Sequence, residues 1–103
     1  MQWVNFEYRG FYDVPRMIVV RLAREIVLLE SRFSRAIDDY EDYYTVYCLP
    51  PDVDLTGSWE HLAEAAVRRL GEIRVRDVVL DSSLRKQLDL DSVRPLLYQR
   101  DRE

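Results

Sequence analysis

Polar and apolar residues alternate at the start of the chain, where Val4, Phe6 and Tyr8 are separated by Asn5, Glu7 and Arg9. A two-residue period is that of a strand with one buried face. Gly10 and then Asp13-Val14-Pro15 are expected to end it, because proline cannot donate to a ladder and restricts the residue before it. Two apolar runs follow, Met17 to Leu22 and Glu25 to Leu29, on either side of Ala23-Arg24. They predict a hairpin, although Ala-Arg lacks the Asn-Gly chemistry of the favoured two-residue turns. A single helix from Pro15 to Ser34 is the competing reading. β-branched residues at 18, 19, 20, 26 and 27 favour strands. Tyr43-Tyr-Thr-Val-Tyr-Cys-Leu49 predicts a fourth strand, stopped by Pro50-Pro51.

The period then changes. Trp59, Leu62, Ala63, Ala66, Leu70 and Ile73 recur at spacings of three and four, which predicts an amphipathic helix with Gly71 as its stop. Arg74 to Asp81 resembles a short strand. Helical turns are expected after Asp81-Ser82-Ser83 and after Asp91-Ser92, with Pro95 tolerable in a first turn. No repeat or linker interrupts the chain, so residues 1–103 read as a single domain. The expected class is α+β: a mainly antiparallel sheet of four to five strands, one principal amphipathic helix, and a short helical C-terminal segment.

The two middle strands are apolar at every position that matters. Ile18, Val20, Ile26 and Leu28 share one parity, and Met17, Val19, Val27 and Leu29 the other. Strands of this kind are usually covered on both sides. One helix covers one face, leaving the other to the leucines at 84, 88, 90, 96 and 97 or to a second copy of the chain. A homodimer is therefore expected.

Composition narrows the class. With 103 residues, 48% apolar and 33% charged, the chain suits one globular core. Its longest greasy stretch, Met17 to Leu29, is broken by Arg21, Arg24 and Glu25. A bilayer span needs about 20 nearly uncharged residues, so no membrane segment is expected. Neither does MQWVNFEYRG read as a secretion signal. The single cysteine, Cys48, cannot form an internal disulfide, which points to a reducing, cytoplasmic setting. Arginine dominates the basic residues, Lys86 being the one lysine, a bias expected of GC-rich bacterial coding.

The formal charge of −4 argues against binding nucleic acid by general phosphate attraction. Its distribution is uneven. Residues 38–67 hold eight acids (Asp38, Asp39, Glu41, Asp42, Asp52, Asp54, Glu60 and Glu64) and no lysine or arginine, while each flank is net +2. Within that block, Tyr40, Tyr43 and Tyr44 interleave with Asp38, Asp39, Glu41 and Asp42. Tyrosine supplies stiff contact area with a polar tip, and neighbouring acids steer and grip a basic partner. These seven residues are the expected partner-binding surface.

Asp52-Val-Asp54-Leu-Thr56-Gly57 invites two chemical readings. A phosphotransferase aspartate sits at the tip of a buried parallel strand, whereas here two prolines intervene and βαβ units are absent. A calcium loop requires a bidentate glutamate at its twelfth position, where this chain has Ala63. Asp52, Asp54 and Glu60 remain weak cation candidates. The favoured reading is a turn that opens the helix, with Thr56 or Ser58 capping its free amides and Asp54 and Glu60 near its positive end. His61, the lone histidine, reads as a surface residue of the first turn, and Cys48 as a small core residue. Trp3, Phe6, Tyr8, Phe11 and Tyr12 read as core packing, since no RNA-binding motif or positive potential accompanies them.

No cofactor and no dedicated active site are expected. The sequence points to a small cytoplasmic protein-binding module presenting an acidic, tyrosine-bearing surface, of which an immunity-type inhibitor of a basic toxin is one concrete form. The alternatives are a small metal-dependent protein or enzyme using Asp52, Asp54, Glu60 and His61, and a structural subunit of a larger assembly.

Overall fold

The computed structural model describes residues 1–81 and 86–98. Its strands are β1 (Trp3–Asn5), β2 (Glu7–Tyr12), β3 (Val14–Arg21), β4 (Ile26–Glu30), β5 (Phe33–Ser34), β6 (Asp39–Tyr40), β7 (Tyr43–Leu49), β8 (Arg68–Arg74) and β9 (Gln87–Asp89), followed by the helix α1 (Leu90–Tyr98). Five of them form one antiparallel sheet in the order β2-β3-β4-β7-β8, while β1 pairs with β9 and β5 with β6. The class is α+β with little helix. No helix among the described residues is long and apolar enough to cross a membrane.

The hairpin centred on Ala23-Arg24 is present, with the Leu22 amide donating to the Glu25 carbonyl at 2.8 Å. Neither turn residue has a positive φ, so the turn is not of the Asn-Gly type. The expected first strand is broken at Phe6 into β1 and β2, which join different sheets. β2 does not stop at Gly10 but runs to Tyr12, and Asp13 makes the reversal at φ 65°, a conformation aspartate tolerates better than most residues. Pro15 lies inside β3, paired with Phe11.

Register decides which apolar residues share a face. Ile18 pairs with Leu29 and Val20 with Val27, whereas Val19 pairs with Leu28. A turn of even length matches even numbers on one strand with odd numbers on the other. The grouping by parity is therefore corrected: Ile18, Val20, Val27 and Leu29 point one way, and Val19, Ile26 and Leu28 the other. The chain covers both faces itself. Phe6, Val78, Leu88, Leu90, Val93 and Leu97 close the first face, and Leu55, Trp59 and Leu62 close the second. The doubly apolar strands thus give no reason for a second copy.

The predicted helix from Trp59 to Ile73 does not form. In its place are a 3₁₀ turn, Leu62–Ala65, and the edge strand β8. A β-bulge explains the misleading spacing. Pairing steps from Val46–Gly71 to Tyr47–Arg69, so Leu70 is the extra residue on β8. The bulge resets the alternation, and Leu70 and Ile73, three apart, both pack on the first face. Trp59 and Leu62 pack on the second. Gly71 is no helix stop: it sits in the bulge at φ 144°, where a Cβ would lie 3.0 Å from Leu96 Cδ2.

Arg74 to Asp81 is likewise not a strand but a 3₁₀ turn, Val75–Asp77, and an isolated bridge from Leu80 to Leu88. The expected turn after Asp81 falls on residues 82–85, outside the described residues. In α1, Pro95 is the sixth residue and not in the first turn. Asp89 caps this helix, its Oδ1 accepting from the Asp91 amide at 3.1 Å and from the Gln2 amide at 2.9 Å.

Arg9 fastens the irregular segment that covers the second face. Its guanidinium lies 4.5 Å over the Trp59 ring and donates to the carbonyls of Gly57 and Leu55, the latter at 3.2 Å. Replacing Arg9 with methionine keeps the alkyl stem and removes the charge and donors. A loss of about 1–2 kcal/mol is expected in urea denaturation; a loss within error would mean that Trp59 needs no such fastening.

Candidate functional site

The segment between β4 and β7 is a small hairpin outside the main sheet. Phe33 pairs with Tyr40 and Ser34 with Asp39, and Asp38 closes the turn at φ 54°. Its base is tied down by hydrogen bonds from the Glu41 amide to the Arg32 carbonyl and from Ser31 Oγ to the Glu41 carbonyl, both 2.8 Å. Arg16, reaching over from β3, donates to the Tyr12 carbonyl at 3.0 Å, to Ser31 Oγ at 3.1 Å and to the Glu41 carbonyl at 3.4 Å. The same guanidinium lies 4.7 Å over the Tyr40 ring. Tyr40 is flanked in turn by Tyr12 and Phe33, each with its ring centre 5.5 Å away.

This arrangement leaves an aromatic cluster facing solvent. Tyr12 is 56% exposed, Phe33 53%, and Ile37 at the hairpin tip 62%. The reading of the N-terminal aromatics as core is corrected accordingly: Phe6 is buried and Tyr8 half-buried, but Trp3, Phe11 and Tyr12 are exposed. β2 is an edge strand of the main sheet, and its last four residues, Phe11 and Tyr12 among them, are exposed.

The structure separates the seven residues expected to bind a partner. Asp38 and Asp39 sit at the end of the hairpin, where Asp39 Oδ1 accepts from the Tyr40 amide at 2.7 Å. Glu41 accepts from the Tyr43 hydroxyl, and this bond holds the Tyr43 pKa above its ordinary value. Asp42 is exposed, while its carbonyl accepts from the Val75 amide at 2.8 Å. Tyr44 is on the opposite side of β7, wholly buried, with its hydroxyl donating to the Pro15 carbonyl at 2.7 Å. A partner cannot reach it without unfolding the sheet.

Two grooves flank the hairpin, and Arg16 and Tyr40 line both. One, of about 630 Å³, runs between the β2–β3 turn, the hairpin base and residues 74–80. The other, of about 830 Å³, runs between the hairpin and residues 60–64. Arginines absent from the acidic block in sequence are beside it in space: Arg16, Arg74 and Arg76 share the first groove with Asp13, Asp39, Glu41 and Asp42. Arg32 meets the second groove and pairs with the buried Glu30 at 2.8 Å. The carboxylates around the hairpin are therefore interleaved with arginine, not the unbroken field the sequence suggests.

The Asp52-to-His61 region is a loop that leads into the 3₁₀ turn. Asp54 Oδ1 accepts from the Thr56 amide at 2.9 Å and from its hydroxyl at 2.6 Å, which together hold the Asp54 carboxyl below its usual pKa. Ser58 Oγ accepts from the Glu60 amide at 3.2 Å. His61 pairs with Glu64 at the surface. Among the described residues, no three His, Cys, Asp or Glu side chains are grouped as a metal ion would need. Cys48 is buried against the first face, and His61 is exposed beside the loop that covers the second. The two are not a nucleophile and its base.

Sequence reasoning missed Arg16, Tyr12, Phe33 and Ile37. The available signal was weak: Phe33 and Ile37 are apolar residues in a stretch with no strand or helix period. Comparisons with protein-family models, with curated proteins and with solved structures return no match.

Proposed function

We propose that the protein is a small cytoplasmic binding module that receives a basic protein partner on the β5–β6 hairpin and the adjoining β2–β3 turn. The observation that carries the reading is the trio Tyr12, Phe33 and Ile37, each more than half exposed. Tyr12 is at the end of β2 and the other two are on the hairpin, with Arg16 bonded to both segments. Aromatic side chains with little rotamer freedom give large contact area at low entropic cost. Asp38, Asp39, Glu41 and Asp42 surround them, favouring approach of a positively charged surface. An inhibitor that covers the substrate site of a basic enzyme is one form of this function. Tyr44 has no part in it.

Affinity capture tests the surface. The native protein would be compared with Phe33→Ser/Ile37→Asp and with Asp38→Asn/Asp39→Asn/Asp42→Asn. The first variant is expected to lose the partner at every salt concentration. The second is expected to weaken it by about tenfold or more and to flatten its salt dependence. A partner retained equally by all three baits would place the interface elsewhere.

A further inference from the structure

We propose that the 630 Å³ groove beside the hairpin base binds a small zwitterion with an apolar body, such as a hydrophobic α-amino acid or a short peptide with free ends. This goes beyond the binding of a protein partner. The volume is in the range of small-ligand sites, about 300–1,000 Å³. Val14, Val75, Val78 and Leu80 supply apolar lining. Asp13 and Asp42 bring carboxylates to the groove, and Arg74 and Arg76 bring guanidiniums. None of these four side chains has a hydrogen-bond or ion-pair partner among the described residues.

Charge matching selects the ligand. A purely cationic ligand meets Arg16, Arg74 and Arg76, and a purely anionic one meets the carboxylates of Asp13, Asp39, Glu41 and Asp42. A molecule carrying one charge of each sign satisfies both sets. Its ammonium donates to the aspartates, and its carboxylate accepts the forked donors of an arginine. The backbone keeps the two kinds of charge close together, because the Val75 amide, between Arg74 and Arg76, donates to the Asp42 carbonyl at 2.8 Å.

The test is a titration of the ¹⁵N-labelled full chain, followed by amide shifts. The probes are L-leucine, the tripeptide Leu-Leu-Leu, leucinamide, which lacks the carboxylate, and N-acetyl-leucine, which lacks the ammonium. Leucine or the tripeptide is expected to give saturable shifts at Val14, Asp42, Val75 and Arg76, and whichever binds more tightly identifies the source. Each blocked analogue is expected to bind at least about tenfold more weakly, as is leucine to Asp13→Asn or Arg76→Gln. Asparagine tolerates the positive φ at position 13, so that variant keeps its turn. Blocked analogues binding as well as leucine would overturn the proposal. So would a folded protein whose groove amides do not move with either unblocked probe.

Discussion

Replacing Trp59 with alanine is expected to cost about 3–5 kcal/mol, a large share of the 5–15 kcal/mol typical of a domain. Trp59 is 4% exposed and belongs to the cover over the second sheet face. That cover has little regular structure, only a 3₁₀ turn, so its stability rests on side chains. The indole carries more of it than its area alone. Its Nε1 donates to the Leu55 carbonyl at 3.0 Å, and its ring receives the Arg9 guanidinium. Removing it opens a path to Val19, Leu28 and Leu49, all at most 1% exposed. Exposed apolar surface of that kind promotes self-association. Alanine at 59 should therefore lower the urea midpoint, raise binding of a hydrophobic dye, and raise the mass seen by light scattering at high concentration. Trp59→Phe, which refills most of the volume, should recover much of the loss. A cost below about 1 kcal/mol for the alanine variant would show that the 50–66 segment is not packed on the sheet as described.

The same segment shows how far the sequence was legible. Strand propensity between Met17 and Leu29 was strong enough to override the helical alternative, and the turn was centred correctly at Ala23-Arg24. Apolar residues on both parities correctly implied two covered faces. One cover was legible as well, since Leu88, Leu90 and Leu97 of the C-terminal leucine set do close the first face. The form of the other cover was not. Trp59, Leu62, Leu70 and Ile73 look like one helical stripe but belong to two cores on opposite sides of the sheet. A bulge that shifts parity at Leu70 leaves no mark in a periodicity except the glycine beside it. The candidate surface was half legible for a related reason. Charge runs are counted along the chain, whereas Arg16, Arg74 and Arg76 come to Asp39 and Asp42 through strand pairing. Arg16 carries no local signal at all, since its partners are two carbonyls, a serine hydroxyl and a ring contributed by separate elements.

Tyr44 gives the second large effect, and it appears only at alkaline pH. The sequence grouped it with Tyr40 and Tyr43, but alternation along β7 turns it inward. Burial pushes its pKa up to about 12, against a smaller downward pull from the Arg16 guanidinium. The unfolded chain has the ordinary tyrosine value of about 10. Between these values the unfolded tyrosine loses its proton while the folded one keeps it, so rising pH favours unfolding. The contribution is fully present below pH 10 and is lost as pH rises through about 12. A two-unit difference corresponds to roughly 2–3 kcal/mol. Tyr44→Phe should cost about 1 kcal/mol at pH 7, where the Pro15 carbonyl loses its donor. By about pH 11 the order should reverse, because phenylalanine has no proton to lose and the native protein has by then lost more than about 1 kcal/mol. Tyr43, also raised by its bond to Glu41, is common to both proteins and cancels in the comparison. Urea denaturation of the two proteins at pH 7, 9.5 and 11.5 reads the difference directly. Parallel stability curves across that range would mean that the Tyr44 hydroxyl reaches solvent, and that the hairpin face and the core do not divide at β7.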